Sequence, residues 1–300
     1  MISIILVNYQ KYEDTFTCVD SILESQTTEG YRIVIVDNAS TNDSWEQLQK
    51  FKDNPKITLI QAAENNGYCA GNNIGIKYSI DNISPDYIWI LNPDTLVTPT
   101  TMQVLSDYAK TKEDLGVLGC KLVYYPDTYH LQALGGGNFG LSPLGELRSK
   151  RPLYRMESSE KPLPKEVEVD IIIGASMFIP IGVFEKVGFL NEMFFLYADE
   201  TEFCLRVLKA GFKNYAISEA TVFHTDGYRQ KTRSAYSEYY GNRNSLYLVR
   251  DLYPQNLRWN IVIYHLNTCY LLLKFKFKSV HYRTKAFKDF KNNVYGKVDL

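Results

Sequence analysis

Four short apolar runs, at residues 2–7, 32–36, 57–60 and 87–91, alternate with segments of helical periodicity, and no other feature narrows the possible folds as much. A continuous apolar run of this length suits a strand covered on both faces. Between the runs, Phe16, Val19, Ile22 and Leu23 recur at helical spacing, and Asp43 or Ser44 can cap a second helix carrying Trp45, Leu48 and Phe51. Residues 72–80 supply a third helical pattern, and Met102, Leu105 and Tyr108 a fourth. Strands joined by helices in this order call for right-handed crossovers. The expected architecture is therefore α/β, a mainly parallel central sheet flanked by helices.

Sheets of this kind bind ligands beyond the carboxyl ends of their strands. Polar residues stand at such ends three times: Asn8-Tyr9 after Val7, Asp37-Asn38 after the second run, and Asn92-Pro93-Asp94 after the fourth. Any one of them is also what a turn or a helix cap would use. Three on neighbouring strands point instead to one cleft. Neither a Gly-x-Gly-x-x-Gly segment nor a Walker loop follows the first strand, which counts against a dehydrogenase or a P-loop nucleotide hydrolase. From Asn65 and Asn66 onward, Gly67, Gly71 and Gly75 recur four residues apart, with Asn72 among them. Small residues there let backbone approach a ligand, and a helix amino terminus favours a diphosphate; a plain glycine-rich turn is the other reading.

In order and spacing, Val7-Asn8-Tyr9, Val36-Asp37-Asn38, the Asn65 to Gly75 stretch and Leu91-Asn92-Pro93-Asp94-Thr95 resemble family 2 glycosyltransferases, especially the rhamnosyltransferase-like branch. The resemblance covers residues 1–225. It implies a glycosyltransferase-A fold and an inverting enzyme that builds cell-surface polysaccharide. The donor would be a UDP- or dTDP-sugar, with rhamnose among the candidates, and the acceptor a glycan or lipid-linked saccharide. It also implies that Asp37 binds the nucleoside and that Val7, Asn8, Tyr9, Asn66, Gly71 and Asn72 lie along the donor. Gly174-Ala175 would border the donor and acceptor sugars.

Asn92-Pro93-Asp94 stands where the family carries its Asp-x-Asp metal motif, so Asp94 is the expected ligand and the role of Asn92 stays open. His224, at the end of Thr221-Val222-Phe223-His224, stands at the family's late metal-binding histidine; a structural histidine is the alternative. A departing nucleoside diphosphate concentrates negative charge that Mn²⁺ or Mg²⁺ can bridge, and an imidazole ligand leans toward Mn²⁺. The run Asp199-Glu200-Thr201-Glu202 resembles the family's acidic signature. By register the general base falls on Glu200, with Asp199 in reserve, and both open a helix whose amino terminus favours an ionised carboxylate. Glu202 and Arg206 read as an i, i+4 pair.

Residues 1–228 are expected to form the nucleotide-sugar-binding catalytic domain and residues 229–300 a helical C-terminal extension. Within the extension, Arg243 either approaches the donor diphosphate, as the resemblance suggests, or sits on the surface. An apolar stretch at 259–273 is followed by Lys274, Lys276, Lys278, Arg283, Lys285, Lys288 and Lys291, with Asp289 opposing them. This basic helix can meet an anionic membrane, pack on the catalytic domain, or help build a homodimer face. Residues 142–165, rich in proline and charge, read as a mobile surface loop.

A net charge of -1 gives no case for nucleic acid as a partner. The five cysteines are scattered without metal spacing, as expected of reduced thiols, and the first apolar run is too short for a signal peptide. Cytoplasmic location follows, peripheral on the membrane at most. Two rival functions remain. A sugar nucleotidyltransferase should carry its glycine-rich loop where Asn8-Tyr9-Gln10-Lys11 stands. A non-catalytic nucleotide-sugar or glycan-binding relative would explain Asn92 as lost metal chemistry.

Overall fold

The structure, a computed structural model, describes residues 1–150, 152–225 and 234–300. Its first part is β1 (Ile2–Asn8), α1 (Tyr12–Leu23), β2 (Tyr31–Asp37), α2 (Ser44–Leu48), β3 (Ile57–Gln61), α3 (Tyr68–Asn82) and β4 (Tyr87–Leu91). These strands pair in parallel in the order β3-β2-β1-β4. Successive residues of a strand point to opposite faces, so each apolar run feeds two cores. Ile4, Leu6, Ile33 and Ile35 join Val19 and Ile22 of α1 on one side. Ile5, Val34 and Val36 meet Ile76 of α3 on the other.

The third helix starts at Tyr68, four residues ahead of the sequence expectation, and this changes what its glycines do. A Cβ on Gly71 would lie 2.8 Å from Val7 Cγ1, and one on Gly75 2.6 Å from Ile5 Cγ2. Both therefore seat α3 directly on β1, and the close approach they allow is to the sheet rather than to a ligand.

Next come β5 (Thr95–Val97), α4 (Thr101–Ala109), β6 (Leu115–Tyr124), β7 (Leu131–Leu134), β8 (Phe139–Leu141), β9 (Leu147–Ser149) and β10 (Glu166–Val169). They are followed by β11 (Ser176–Pro180), α5 (Ile181–Val187), α6 (Asp199–Lys209) and β12 (Lys213–His224). The sheet continues from β4 through β11, β6 and β12 to β10. β6 and β12 run with β1 to β4, while β11 is inserted antiparallel between β4 and β6. The long strands thus share one direction, and β5, β7 and β10 oppose it.

β10 ends at Val169, so Gly174 and Ala175 lie just before β11. One loop expectation shifts. The 142–165 stretch is held against the sheet: Leu131 N donates to Glu157 O at 2.8 Å and Leu134 N to Leu153 O at 3.1 Å. The chain finishes with α7 (Ala235–Leu252), α8 (Leu257–Leu273) and α9 (Phe277–Lys291). Ser234 caps α7 by accepting from Ser237 N. The expected domain boundary after residue 228 lies outside the described residues. Among the described residues, no helix is long and apolar enough to cross a membrane.

Candidate active site

Strand register builds one corner of the site. β5 lies antiparallel to β12 with His224 opposite Thr95, so Asp94 arrives beside the histidine ring. His224 Nε2 stands 3.3 Å from Asp94 Oδ1. That contact does not align as a hydrogen bond, and Nε2 is a buried nitrogen without a hydrogen-bond partner. Nδ1 is 2.9 Å from Gln132 Oε1 on β7. The amide oxygen can only accept, so the ring proton sits on Nδ1 and the Nε2 lone pair is free. An oriented imidazole with an unspent lone pair beside a carboxylate fits a divalent cation. Among the described residues no cluster of three or more such ligands exists. Asp94 and His224 would therefore hold a cation whose remaining positions fall to phosphate and water.

The acidic pair lies beside Gly174. Tyr68 Oη donates to Gly174 O at 2.9 Å and to Asn92 Oδ1 at 3.1 Å. A side chain begun at Gly174 would start 3.6 Å from Glu200 Cβ and 3.9 Å from Tyr68 Oη, so the three residues share one spot. Asp199 and Glu200 open α6 after two left-handed residues, Tyr197 (φ 68°) and Ala198 (φ 66°). Such backbone costs free energy and needs support from its surroundings. Asn244 of α7 supplies it, donating to Leu196 O at 3.0 Å and Tyr197 O at 2.9 Å. Burial and the Glu200 charge push the Asp199 carboxyl well above its ordinary value. Burial also raises Glu200, but backbone donors and a hydrogen bond from Asp199 counter part of the effect. Of the two, Asp199 is therefore the more readily protonated. Glu202 and Arg206 form the expected pair, Nε to Oε1 at 2.7 Å, and Arg206 also holds Val187 O and Phe189 O.

A cavity of about 580 Å³ opens along the strand ends, bordered by Val7, Tyr9, Asn38, Asn65, Gly67 and Tyr68. A second one, of about 200 Å³, shares Val7, Tyr9 and Tyr68 and reaches Lys11, Asn92 and Asp94. The two make a continuous groove leading to the Asp94–His224 corner. The far wall of the larger cavity is Phe195, Leu196, Tyr236 and Lys297 to Leu300.

Several expected residues lie elsewhere. Asp37 is fully buried behind the groove, its oxygens taken by Asn8 Nδ2 (2.8 Å), Ser40 Oγ (2.6 Å) and Ser40 N (3.1 Å). Its neighbour Asn38 borders the cavity instead. Asn66 is exposed and bonded to Glu64, whereas Asn65 borders the cavity. Asn72 is buried and bonded to Tyr68 O within α3. Ala175 is buried and accepts from Asn92 N at 3.0 Å. Arg243 neither faces the groove nor lies on the surface. It is fully buried, stacked near Tyr240, and donates to Gly296 O at 3.0 Å, just before the segment that forms the far wall. Sequence reasoning missed Tyr68, Gln132 and the 297–300 wall. Tyr68 adjoined a motif already singled out; the other two carry no local signal.

The fold is the glycosyltransferase-A fold. It superposes on the crystal structure of GalNAc-T7 with UDP, GalNAc and Mn²⁺ at a TM-score of 0.65 and 16% identity, covering 86% of this chain and 49% of that one. The model described as glycosyl transferase family 2 matches residues 3–178, more than half of the chain, and the protein belongs to that family. It is 27% identical over 270 residues to the low-salt glycan biosynthesis hexosyltransferase Agl10 of Haloferax volcanii, covering 85% of this chain and 78% of that one. It is 26% identical over 207 residues to the N-acetylglucosaminyl-diphospho-decaprenol L-rhamnosyltransferase of Mycobacterium tuberculosis, covering 64% and 66%. Within the family it is thus similar to proteins named for hexosyl and for rhamnosyl transfer.

Proposed function

We propose that this glycosyltransferase transfers a sugar from a UDP- or dTDP-sugar by a single inverting displacement onto a hydroxyl of a glycan or lipid-linked saccharide. Glu200 takes the acceptor proton as the acceptor oxygen bonds to the anomeric carbon. The bond from that carbon to the diphosphate oxygen breaks with its electron pair on the diphosphate. Asp199, protonated, donates to Glu200 and keeps the negative charge on the residue that accepts the proton. A divalent cation held by Asp94 and His224 would neutralise charge on the departing diphosphate. Tyr68 ties Asn92 to Gly174 and so fixes the spacing between the two halves of the site.

One observation supports this reading above the others: Tyr68 bonds to Asn92, two residues before the Asp94 that meets His224, and to Gly174, which lies beside Glu200. The relatives named for lipid-linked rhamnosyl transfer and hexosyl transfer, and the solved neighbour holding UDP and Mn²⁺, support the donor, acceptor and metal. We divide the chain into a catalytic part over 1–228 and a helical part over 229–300, the latter meeting either the membrane or a second copy. Five free cysteines, four of them buried, suit a reducing cytoplasmic setting. Glu200→Gln tests the mechanism. Nucleotide binding should stay near the parent's while transfer falls by about 10²–10⁴-fold. Normal turnover by that variant would remove Glu200 from the role, and no turnover of any donor by the parent would leave a binding protein.

A further inference from the structure

Helix α8 is mostly apolar, with Arg258 and His265 exposed on one flank, yet only one side of it is covered. Asn260, Ile263 and Tyr264 are buried against the protein. Trp259, Val262, Leu266, Tyr270 and Leu273 recur every three or four residues along the other side, between 45% and 76% exposed. A contiguous row of exposed large apolar side chains marks an interaction site. The turn after α8 extends the patch: Phe275 and Phe277 are 77% and 61% exposed, interleaved with Lys274, Lys276 and Lys278. Phe275 holds a left-handed backbone (φ 55°), which a bulky residue takes only at a cost.

We propose that the outer side of α8 and the 274–278 turn form a docking surface for an anionic lipid bilayer, with α8 lying in the interface. The helix is not long and apolar enough to cross, which leaves lying on the surface. Charge complementarity selects the lipid. From residue 252 to residue 288 there is no Asp or Glu, so a second copy seated on this patch offers no carboxylate from the same surface to meet its lysines. An anionic headgroup does. The turn and the first residues of α9 carry the contact, whereas two basic residues further along α9 are engaged by the protein itself. Its Arg283 bonds to Asn242 and Tyr264 O, and its Lys285 pairs with buried Asp289.

The patch lies one layer from the catalytic helix. Asn260 and Tyr264 of α8 border a cavity whose opposite wall includes Ala198 and Thr201, which flank Asp199 and Glu200. A membrane-borne acceptor would thus approach Glu200 from the α8 side. That clause rests on the proposed function; the lipid contact does not.

The test uses the full chain and its one exposed thiol, Cys269, on the outer part of α8. A nitroxide placed there should lose access to a water-soluble nickel chelate when vesicles containing phosphatidylglycerol are added. Vesicles of phosphatidylcholine alone should protect it far less. Phe275→Ser with Phe277→Ser should lower partitioning by about tenfold or more, since each ring forfeits its burial. Lys274→Gln, Lys276→Gln and Lys278→Gln together should remove the preference for anionic vesicles and its salt sensitivity. All five side chains are exposed, so thermal midpoints should hold; if the phenylalanine variant unfolds early, the glutamine variant decides. Protein that stays off anionic vesicles, or variants that partition like the parent, would overturn the proposal. So would light scattering that shows a dimer dissolved by Phe275→Ser and Phe277→Ser. Donor binding, measured without vesicles, should be the same in every variant; its loss in the parent would count against the proposed function alone.

Discussion

Gly67 is where the donor groove and the catalytic helix are pinned together, and Gly67→Ala tests that connection. Its backbone sits at φ 98° and ψ -178°, a region that residues with a Cβ rarely enter. A Cβ there would lie 2.8 Å from both Phe195 Cα and Cδ2, and closer still to the Phe195 carbonyl oxygen, which accepts from Tyr68 N. Backbone strain contributes about 1–3 kcal/mol. Forcing the carbon against main chain adds about 1–3 kcal/mol more. The expected loss is therefore about 4 kcal/mol, or roughly 6 °C in thermal midpoint for a chain of this size. The segment at Phe195 must give way, and it leads into α6, so transfer should fall further than nucleotide affinity. Gly241→Ala is the control. Nothing lies within 4 Å of its added carbon in the middle of α7, so it should stabilise by about 0.5–1 kcal/mol. Scanning calorimetry of both variants, with initial rates, checks the pair. A Gly67→Ala midpoint within about 2 °C of the parent would refute the close approach at Phe195.

Three further outcomes follow from the site. Burial raises Glu200, so the acid limb of the transfer rate should lie above the ordinary glutamate range. Asp199→Ala, by removing the hydrogen bond that counters that rise, should move the limb to higher pH; a limb at the same pH would separate the two carboxyls. Because both carboxyls titrate higher when folded than unfolded, the folded chain binds protons more tightly. Their contribution to stability is thus fully present below the unfolded values and is lost as pH rises through the folded ones. Relative to the parent, Asp199→Asn with Glu200→Gln should gain stability as pH rises above the ordinary carboxylate range in urea titrations; no gain would discharge the buried pair. Asp94→Ala should abolish any Mn²⁺ enhancement of UDP binding in calorimetry, and enhancement that survives would dismiss the aspartate–histidine corner.

Most of the parallel sheet was legible because its strands are buried on both faces, and Ile4–Ile5 or Val34–Ile35 write that burial as unbroken apolar runs. The polar strand ends were legible too, but not which member of each pair borders the groove. Asp37 and Asn38 differ by one residue, hence by one face of the strand, and Asn8 and Ser40 together pull the carboxylate inward. Gly71 and Gly75 announced a close approach without naming the partner, which proved to be Val7 and Ile5. Gln132 and Lys297 were out of reach in principle. Their positions depend on where β7 and the chain beyond α9 come to rest against distant elements.

The boundary expected near residue 228 separates composition more cleanly than it separates labour. Asn244 steadies the bend ahead of the acidic pair, and buried Arg243 fastens the strand of chain that closes off the nucleotide side. An enzyme shortened at that point would keep the catalytic side chains of its first 225 residues and lose the enclosure that makes them a pocket. The final helices thus act as the back half of the mould, and loosening them should be felt first as poor grip on the nucleotide.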